Sequence, residues 1–388
     1  MDFSLTSEQE MLQKMFREFA TKEVAKVAEK ADKEEALPLR LLKRAASQGF
    51  MGAVVPEEPY GGAGLDVVTF TLLLEALAAE CASTALTIHV HNNLALRSIY
   101  RHSTEAAKDA LVPEMVAGER IGAFALTEPG AGSDPTHLRT TAVRQGDAYV
   151  LNGVKTWVSN GGIAGVFVVF AATDPAAGAR GLSAFAVPVE TPGLTVGGRE
   201  KTLGLNAASI HRIYLNECRI PADHLLGAEG DGYQIALETL DFGRVGISAA
   251  AVGLSRRVVE LGVKFASERV QFGAPIGAKQ AIQGYLADCA TEVAAAEGLV
   301  RRAAWLADQG QPFTQEASMA KLFASRMAGN VTNKVLQVHG GYGYIMDYPI
   351  QRYYRDARAL EIVEGTTQIQ QIVIAGGLFA GTNVKVRP

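Results

Sequence analysis

The chain has 388 residues, 48% hydrophobic and 20% charged, with a net charge of −4. That length exceeds what a single core serves, so two or three domains are expected, and with no basic block nothing points to nucleic acid. Cys81, Cys218, Cys289 and the seven histidines show neither a disulfide framework nor metal-ligand spacing, so no metal is expected.

The first residues, Met-Asp-Phe-Ser-Leu-Thr-Ser-Glu, carry neither a basic nor an apolar leader pattern. Apolar stretches such as Val166 to Ala172 are too short to span a bilayer, so a cytoplasmic protein without a membrane partner is expected. From Ser7, which can cap with Glu10, the period is helical, with Met11, Leu12, Met15, Phe16, Phe19 and Ala20 on one face. Helical patterns continue over Leu39–Ser47, Val67–Cys81, Leu86–Tyr100 and Thr104–Ala117, interrupted by the Gly- and Pro-rich loop from Pro56 to Gly64. Residues 1–120 read as an all-helical domain.

Around Ile121 the character changes. Short runs rich in Val, Phe and Thr alternate with turn residues: Thr140–Gln145, Ala148–Leu151, Lys155–Ser159, Val166–Ala172, Leu182–Val187, Leu194–Gly197 and Ile210–Leu215. Gly146-Asp147 and Asn152-Gly153 read as hairpin turns. Residues 121–230 therefore read as a small sandwich or barrel. From Gly232 the helical period returns in long segments, Gln234–Phe265, Ala278–Ala307, Thr314–Val338 and Thr367–Phe379, rich in alanine and suited to a tight bundle over residues 231–388. The fold class is thus α+β multidomain.

Several segments carry chemistry. Phe124 to Asp134 leaves a strand into a glycine-rich turn bearing Ser133, which can offer backbone N–H groups to a phosphate, though a tight turn explains the glycines equally well. No Gly-x-Gly-x-x-Gly follows a strand and opens a helix, which disfavours a Rossmann site. Trp157 and Ser159 share a strand face by alternation, so an indole could cover a flat ring while the hydroxyl reaches its edge; a core tryptophan beside a turn serine is the plainer reading. Arg269 to Gly273 and Gln337 to Gly343 follow long helices, Gln280 opens the next, and Arg269 is available to a diphosphate. Asp241-Phe242-Gly243-Arg244 lies inside a helix, where Arg244 serves either an anion or a structural ion pair. Finally, Glu364-Gly365-Thr366-Thr367-Gln368-Ile369-Gln370 reads as a helix start, with Thr367 and Gln370 forming a capping box. Glu364 stands at its mouth among Ile362, Val363, Ile369 and Ile372, in the mixed apolar and amide surroundings that suit a general base.

Together these segments resemble the acyl-CoA dehydrogenase family, flavin enzymes that oxidise acyl-CoA thioesters between the α and β carbons. The likeness spans nearly the whole chain and rests on Leu126–Ser133, Trp157–Gly161, Glu268–Gly273, Gln337–Gly341, Arg355–Ala357 and Glu364–Thr366 in one order. Leu240–Arg244, Phe272–Pro275 and Tyr353–Ala357 place it nearest the short-chain, butyryl-CoA branch. The resemblance implies an N-terminal helical domain, a central β-barrel and a C-terminal four-helix bundle. It implies FAD between barrel and bundle, with Phe124, Leu126, Thr127, Gly132 and Ser133 along it, and with Trp157, Val158 and Ser159 at the ring. In the implied homotetramer, Arg269, Phe272, Gln280, Gln337, Val338, Gly340 and Gly341 reach the FAD of a neighbouring subunit, while Thr366 and Gln368 complete the adenosine side. Substrate contacts carried over are Ser133, Asp241, Phe242, Gly243, Arg244 and Gly365. Of the family's two positions for the base, one is Gly243 here and the other is Glu364. Val363 stands where many relatives have tyrosine. Electron-transferring flavoprotein is the implied acceptor. Competing readings are an acyl-CoA oxidase or nitroalkane oxidase-like flavoprotein, and a non-catalytic FAD- or CoA-binding scaffold.

Overall fold

The computed structural model describes residues 4–384 and 386; Met1, Asp2 and Phe3 of the N-terminal stretch read above lie outside them. The N-terminal elements are α1 (Ser7–Phe19), a π-helical stretch Ala20–Val24, α2 (Ala25–Glu34), α3 (Leu39–Ser47), α4 (Val67–Glu80), α5 (Ala82–His89), a second π-helical stretch Val90–Leu96, α6 (Arg97–His102) and α7 (Glu105–Val116). The first cap lies one residue earlier than expected. Thr6, extended at φ −67° and ψ 159°, forms the capping box with Gln9. Phe16, Phe19 and Ala20 are buried as expected, whereas Met11 and Met15 of the same stripe face solvent.

The segment read as a helix, Leu86–Tyr100, is helical throughout, with a π-helical stretch over Val90–Leu96 between α5 and α6. Its polar residues explain the irregularity, because they are tied to the backbones of other elements. His91 Nδ1 accepts the Gly122 N–H at 2.8 Å and Nε2 lies 2.9 Å from the Met51 carbonyl. Asn92 Nδ2 donates to the Phe50 carbonyl at 2.9 Å. A widened turn lets neighbouring residues diverge toward several partners, and such turns recur at functional sites.

The middle strands are β1 (Ile121–Ala125), β2 (Thr141–Gln145), β3 (Ala148–Val158), β4 (Ala164–Ala172), β5 (Leu182–Pro188), β6 (Leu194–Arg199), β7 (His211–Pro221) and β8 (Leu225–Leu226). They make an eight-stranded mixed sheet in the order β6-β7-β3-β2-β4-β5-β8, with β1 parallel to β4. β4 is apolar on both faces because both are covered. Val166, Val168 and Phe170 pack against the N-terminal helices, and Phe167, Val169 and Ala171 into the sheet's own core. The hairpin at Gly146-Asp147 is present, pairing Gln145 with Ala148. Asn152-Gly153 is no turn: β3 runs through it with an irregularity against β7. A Cβ at Gly153 would lie 2.7 Å from Thr140 Cα, so glycine marks close packing there.

The C-terminal part comprises α8 (Gly232–Glu268), the short hairpin β9 (Val270–Gln271) and β10 (Ala274–Pro275), α9 (Gln280–Asp308), α10 (Thr314–His339), α11 (Gly341–Tyr344), α12 (Ile350–Leu360) and α13 (Thr367–Leu378). α8 lies against α4 so closely that a Cβ at Gly253 would sit 2.1 Å from the Glu75 carbonyl oxygen. Buried Glu75 also receives Arg256 at 3.0 Å and Arg301 at 2.9 Å, binding α4 to α8 and α9. α12 has no counterpart in the reading above, because its charged surface hides a short apolar stripe of Ile350, Tyr353, Ala357 and Leu360. Among the described residues no helix is long and apolar enough to cross a membrane.

Candidate active site

Glu364 lies in the turn between α12 and α13 with its backbone turned over, at φ +55°, followed by Gly365 at +94°. Holding a non-glycine residue left-handed costs roughly 1–2 kcal/mol, and the turn is clamped accordingly. Lys321 Nζ donates to the Gly365 carbonyl at 2.7 Å, while Gln370 Nε2 donates to the carbonyls of Gly365 at 2.9 Å and Glu364 at 3.2 Å. The cap of α13 is Thr366, not Thr367; its hydroxyl accepts the Ile369 N–H at 3.4 Å. Gln370 clamps the turn instead of completing a capping box.

The carboxylate points inward, its side chain 7% exposed. Oε1 is 2.8 Å from His89 Nε2, and Oε2 is buried without a hydrogen-bond partner among the described residues. Gly243 on α8 provides the space, for a Cβ there would lie 2.3 Å from Oε2 and 3.0 Å from Leu94 Cδ2. An unpartnered buried carboxylate oxygen is costly, which marks a position completed by something else.

Of the two readings of Arg244, the structure holds the ion pair. Its Nη1 meets Asp241 Oδ1 at 2.7 Å, and Asp241 Oδ2 accepts the Thr314 hydroxyl at 2.5 Å. Burial lowers the Arg244 guanidinium against the pull of Asp241 and Glu364. Burial likewise pushes the Lys321 ammonium down to about 8, with Glu364 opposing and Arg244 reinforcing the shift. Asp241, Phe242, Gly243 and Arg244 of α8 and Glu364 and Gly365 of the α12–α13 turn thus gather at one place, with Lys321 of α10 beside them.

The glycine-rich segment is anchored from behind. Buried Glu128 accepts the backbone N–H groups of Arg139 at 2.7 Å and Thr140 at 3.0 Å, and Lys155 Nζ donates both to Glu128 at 2.8 Å and to the Leu126 carbonyl at 3.1 Å. Phe124 packs on Phe170, ring centroids 4.9 Å apart, and the Thr127 carbonyl accepts the Thr156 N–H at 2.9 Å. Gly132 and Ser133 are exposed at the tip, and a Cβ at Gly132 would meet nothing within 4 Å. Trp157 is 60% exposed at φ +55°. β3 is irregular between Lys155 and Val158; beyond it Trp157 is exposed, Val158 buried and Ser159 half-buried. Val158 has its side chain in the sheet core, and its carbonyl accepts the Gly161 N–H at 3.1 Å. A large indole held outward in a strained conformation is a surface built for contact.

A separate cavity of about 550 Å³ opens at the end of α8 and α10, with Phe265, Arg269, Val338, Gly340 and Gly341 in its wall and none of Glu364, Trp157 or Ser133. Arg269 lies over the Tyr342 ring at 5.3 Å. Phe272, exposed to 94% at φ +54°, together with exposed Gln280 and Gln337, lies outside that wall. Thr366 is half-buried and Gln368 exposed, on the first turn of α13. The residues missed by sequence reasoning are His89, Asn93, Lys321 and the Glu128–Lys155 pair. The available signal was His89, Asn93 and Arg97 at four-residue spacing.

A helical–β–helical chain whose buried, unpartnered carboxylate faces a helix, flanked by an outward-facing tryptophan and an open glycine turn, is the framework of a flavin oxidoreductase. The chain matches the acyl-CoA dehydrogenase N-terminal domain over residues 6–119, the middle domain over 123–218 and the C-terminal domain over 230–379. It is 45% identical to acryloyl-CoA reductase (NADH) of Anaerotignum propionicum over 377 residues, 97% of this chain and 95% of that protein. Butyryl-CoA dehydrogenase from Megasphaera elsdenii superposes with a TM-score of 0.95 at 38% identity, covering 98% of this chain and all of that one. The FAD complex of PigA does so with a TM-score of 0.94 at 30% identity, over 97% and 99% of the two chains. The chain belongs to the acyl-CoA dehydrogenase family.

Proposed function

We propose that the protein is an FAD-dependent acyl-CoA dehydrogenase of the short-chain, butyryl type, and that Glu364 takes the α proton of the thioester as the β hydrogen departs with its electron pair. The observation that carries this reading is the buried Glu364 carboxylate with Oε2 unpartnered, fitted against Gly243. The Glu364 N–H donates to no acceptor among the described residues, so it is free to bind the thioester oxygen. Charge grows on that oxygen as the α C–H bond breaks, and one such donor is worth about 3–4 kcal/mol. Arg244 and Lys321 supply positive charge around the carboxylate, and buried Leu94 and Phe242 keep water away.

FAD fits the outward surface of this chain: the exposed indole of Trp157, the open turn at Gly132 and exposed Ser133, and half-buried Ser159 close to Trp157 in sequence. Phe124 on β1 and Leu126 and Thr127 just after it would hold it, with the Val158 backbone beside the ring. Bound there, FAD supplies the acceptor for the β hydrogen. Arg269, Phe272, Gln280, Gln337, Val338, Gly340 and Gly341 would reach the FAD of a neighbouring copy in a homotetramer, and Thr366 and Gln368 its adenosine side. Exposed Phe272 and Tyr344, at 94% and 86%, support a covered surface there. Electron-transferring flavoprotein is the proposed acceptor.

The 45% identical relative named as a reductase favours a second reading, the same site run backwards with Glu364 returning the proton. Anaerobic addition of butyryl-CoA to the purified yellow protein tests both. Bleaching of the flavin with formation of the enoyl thioester supports dehydrogenation. NADH oxidation driven by crotonyl-CoA supports the reverse, and failure of every acyl-CoA and enoyl-CoA to act removes the proposal.

A further inference from the structure

We infer that His89 is a positioning residue that holds Glu364 Oε1 as a neutral hydrogen-bond donor and leaves Oε2 as the single proton-accepting oxygen; the inference rests on Glu364 being the base. The orientation of the Asn93 amide is fixed from two sides. Its Nδ2 donates to the Phe242 carbonyl at 3.1 Å, and its Oδ1 accepts from Arg97 Nη2 at 3.4 Å. The flipped amide would set N–H against a guanidinium and oxygen against a carbonyl, so the network excludes it. The same Nδ2 lies 3.3 Å from His89 Nδ1. Nδ1 is therefore an acceptor, the ring proton sits on Nε2, and Nε2–H donates to Glu364 Oε1 at 2.8 Å. Arg97, Asn93, His89 and Glu364 form one hydrogen-bonded line with every donor pointing toward the carboxylate.

α8 is cut to receive this line. A Cβ at Gly246 would lie 2.3 Å from His89 Nδ1 and 2.9 Å from Asn93 Nδ2, just as one at Gly243 would strike Glu364 Oε2. The π-helical stretch begins directly after His89, and it lets Asn93 face α8 while His91 faces β1. Buried to 1% exposure, His89 leaves water no access to replace its bond. The charged groups facing Glu364 are Arg244 from α8, itself paired with Asp241, and Lys321 from α10 with Glu361 nearby. Only His89 hydrogen-bonds the carboxylate among the described residues. A donor on Oε1 favours the ionised form and orients the second oxygen, which is what a base with one productive lone pair requires.

The test compares kcat/KM against pH for wild-type holoenzyme, His89→Leu and His89→Gln. Without the donor, His89→Leu moves the acid limb to higher pH by about one unit and lowers kcat by about 10- to 100-fold. His89→Gln, whose amide reaches the same oxygen, restores most of both. Unchanged profiles in both variants, or equal shifts in both, overturn the proposal. Should His89→Leu lose its FAD, exchange of the substrate α proton in D₂O by His89→Gln decides: near-wild-type exchange supports the positioning role and loss of exchange overturns it. Glu364→Gln separates the two readings: if that variant stays fully active the base assignment falls, whereas an inactive Glu364→Gln beside unaltered His89 variants removes only His89.

Discussion

Gly243 and Glu364 meet with no room for a methyl group between them: a Cβ on the glycine would sit 2.3 Å from Oε2 of the carboxylate. The glycine is on a helix with ordinary geometry, so it is there for space and not for backbone freedom. One helix position therefore decides whether the base can lie in its pocket.

Gly243→Ala tests that space. The added methyl either displaces the carboxylate or bends α8, and overpacking of this kind costs about 1–3 kcal/mol of stability. A shift of the carboxylate by about 1 Å costs roughly 10²-fold in turnover. The variant is expected to keep its flavin absorbance and lose about that factor in steady-state dehydrogenation. Full activity would show that Glu364 does not need this pocket.

Trp157 stands at φ +55° with its indole 60% exposed. Glycine adopts that conformation without steric cost, and the apoprotein leaves most of the residue exposed. Trp157→Gly is expected to leave the apoprotein melting temperature unchanged or raised, and to weaken FAD binding by about tenfold or more. Calorimetric titration of apoprotein with FAD checks the second part. Wild-type FAD affinity in the variant would remove Trp157 from the cofactor site.

His91 carries a pH dependence of folding. Burial pushes its imidazole down to about 4, with the bonds to Met51 and Met115 opposing, because its Nδ1 must stay an acceptor for the Gly122 N–H. Between pH 6.5 and 4 the unfolded chain binds a proton that the folded chain refuses. Stability from this group is therefore complete above pH 6.5 and falls with pH, by about 3 kcal/mol over the window. His91→Leu abolishes that titration at the price of the backbone contacts to Met51 and Gly122. The gap in urea stability between wild type and variant should narrow by about 2 kcal/mol from pH 7.5 to pH 5. A constant gap contradicts the assignment.

Legibility in the sequence followed the range of the interactions involved. β4 was readable because its valines and phenylalanines are buried on both faces, and α9 and α10 because long small-residue stripes have few alternatives to a bundle. Local chemistry placed turns only where it was decisive: Gly146-Asp147 makes its hairpin, whereas Asn152-Gly153 is overruled by β7 and by Thr140 packed against it. The π-helical widening within Leu86–Tyr100 was invisible because its cause lies in the backbones of Phe50, Met51 and Gly122, far off in the chain. The Glu364 turn was readable as a helix start, yet its clamp by Lys321 and its contact with His89 join residues 44 and 275 positions apart. Periodicity describes an element, and a site is made between elements.

The most direct measurement is the rate of anaerobic flavin reduction by butyryl-CoA in Glu364→Gln against wild type. An amide of the same shape keeps the fold and FAD but cannot take the α proton. The expected result is a yellow protein that binds the thioester and is reduced about 10²- to 10⁴-fold more slowly. Reduction at a rate near that of wild type would contradict the assignment of Glu364 as the base.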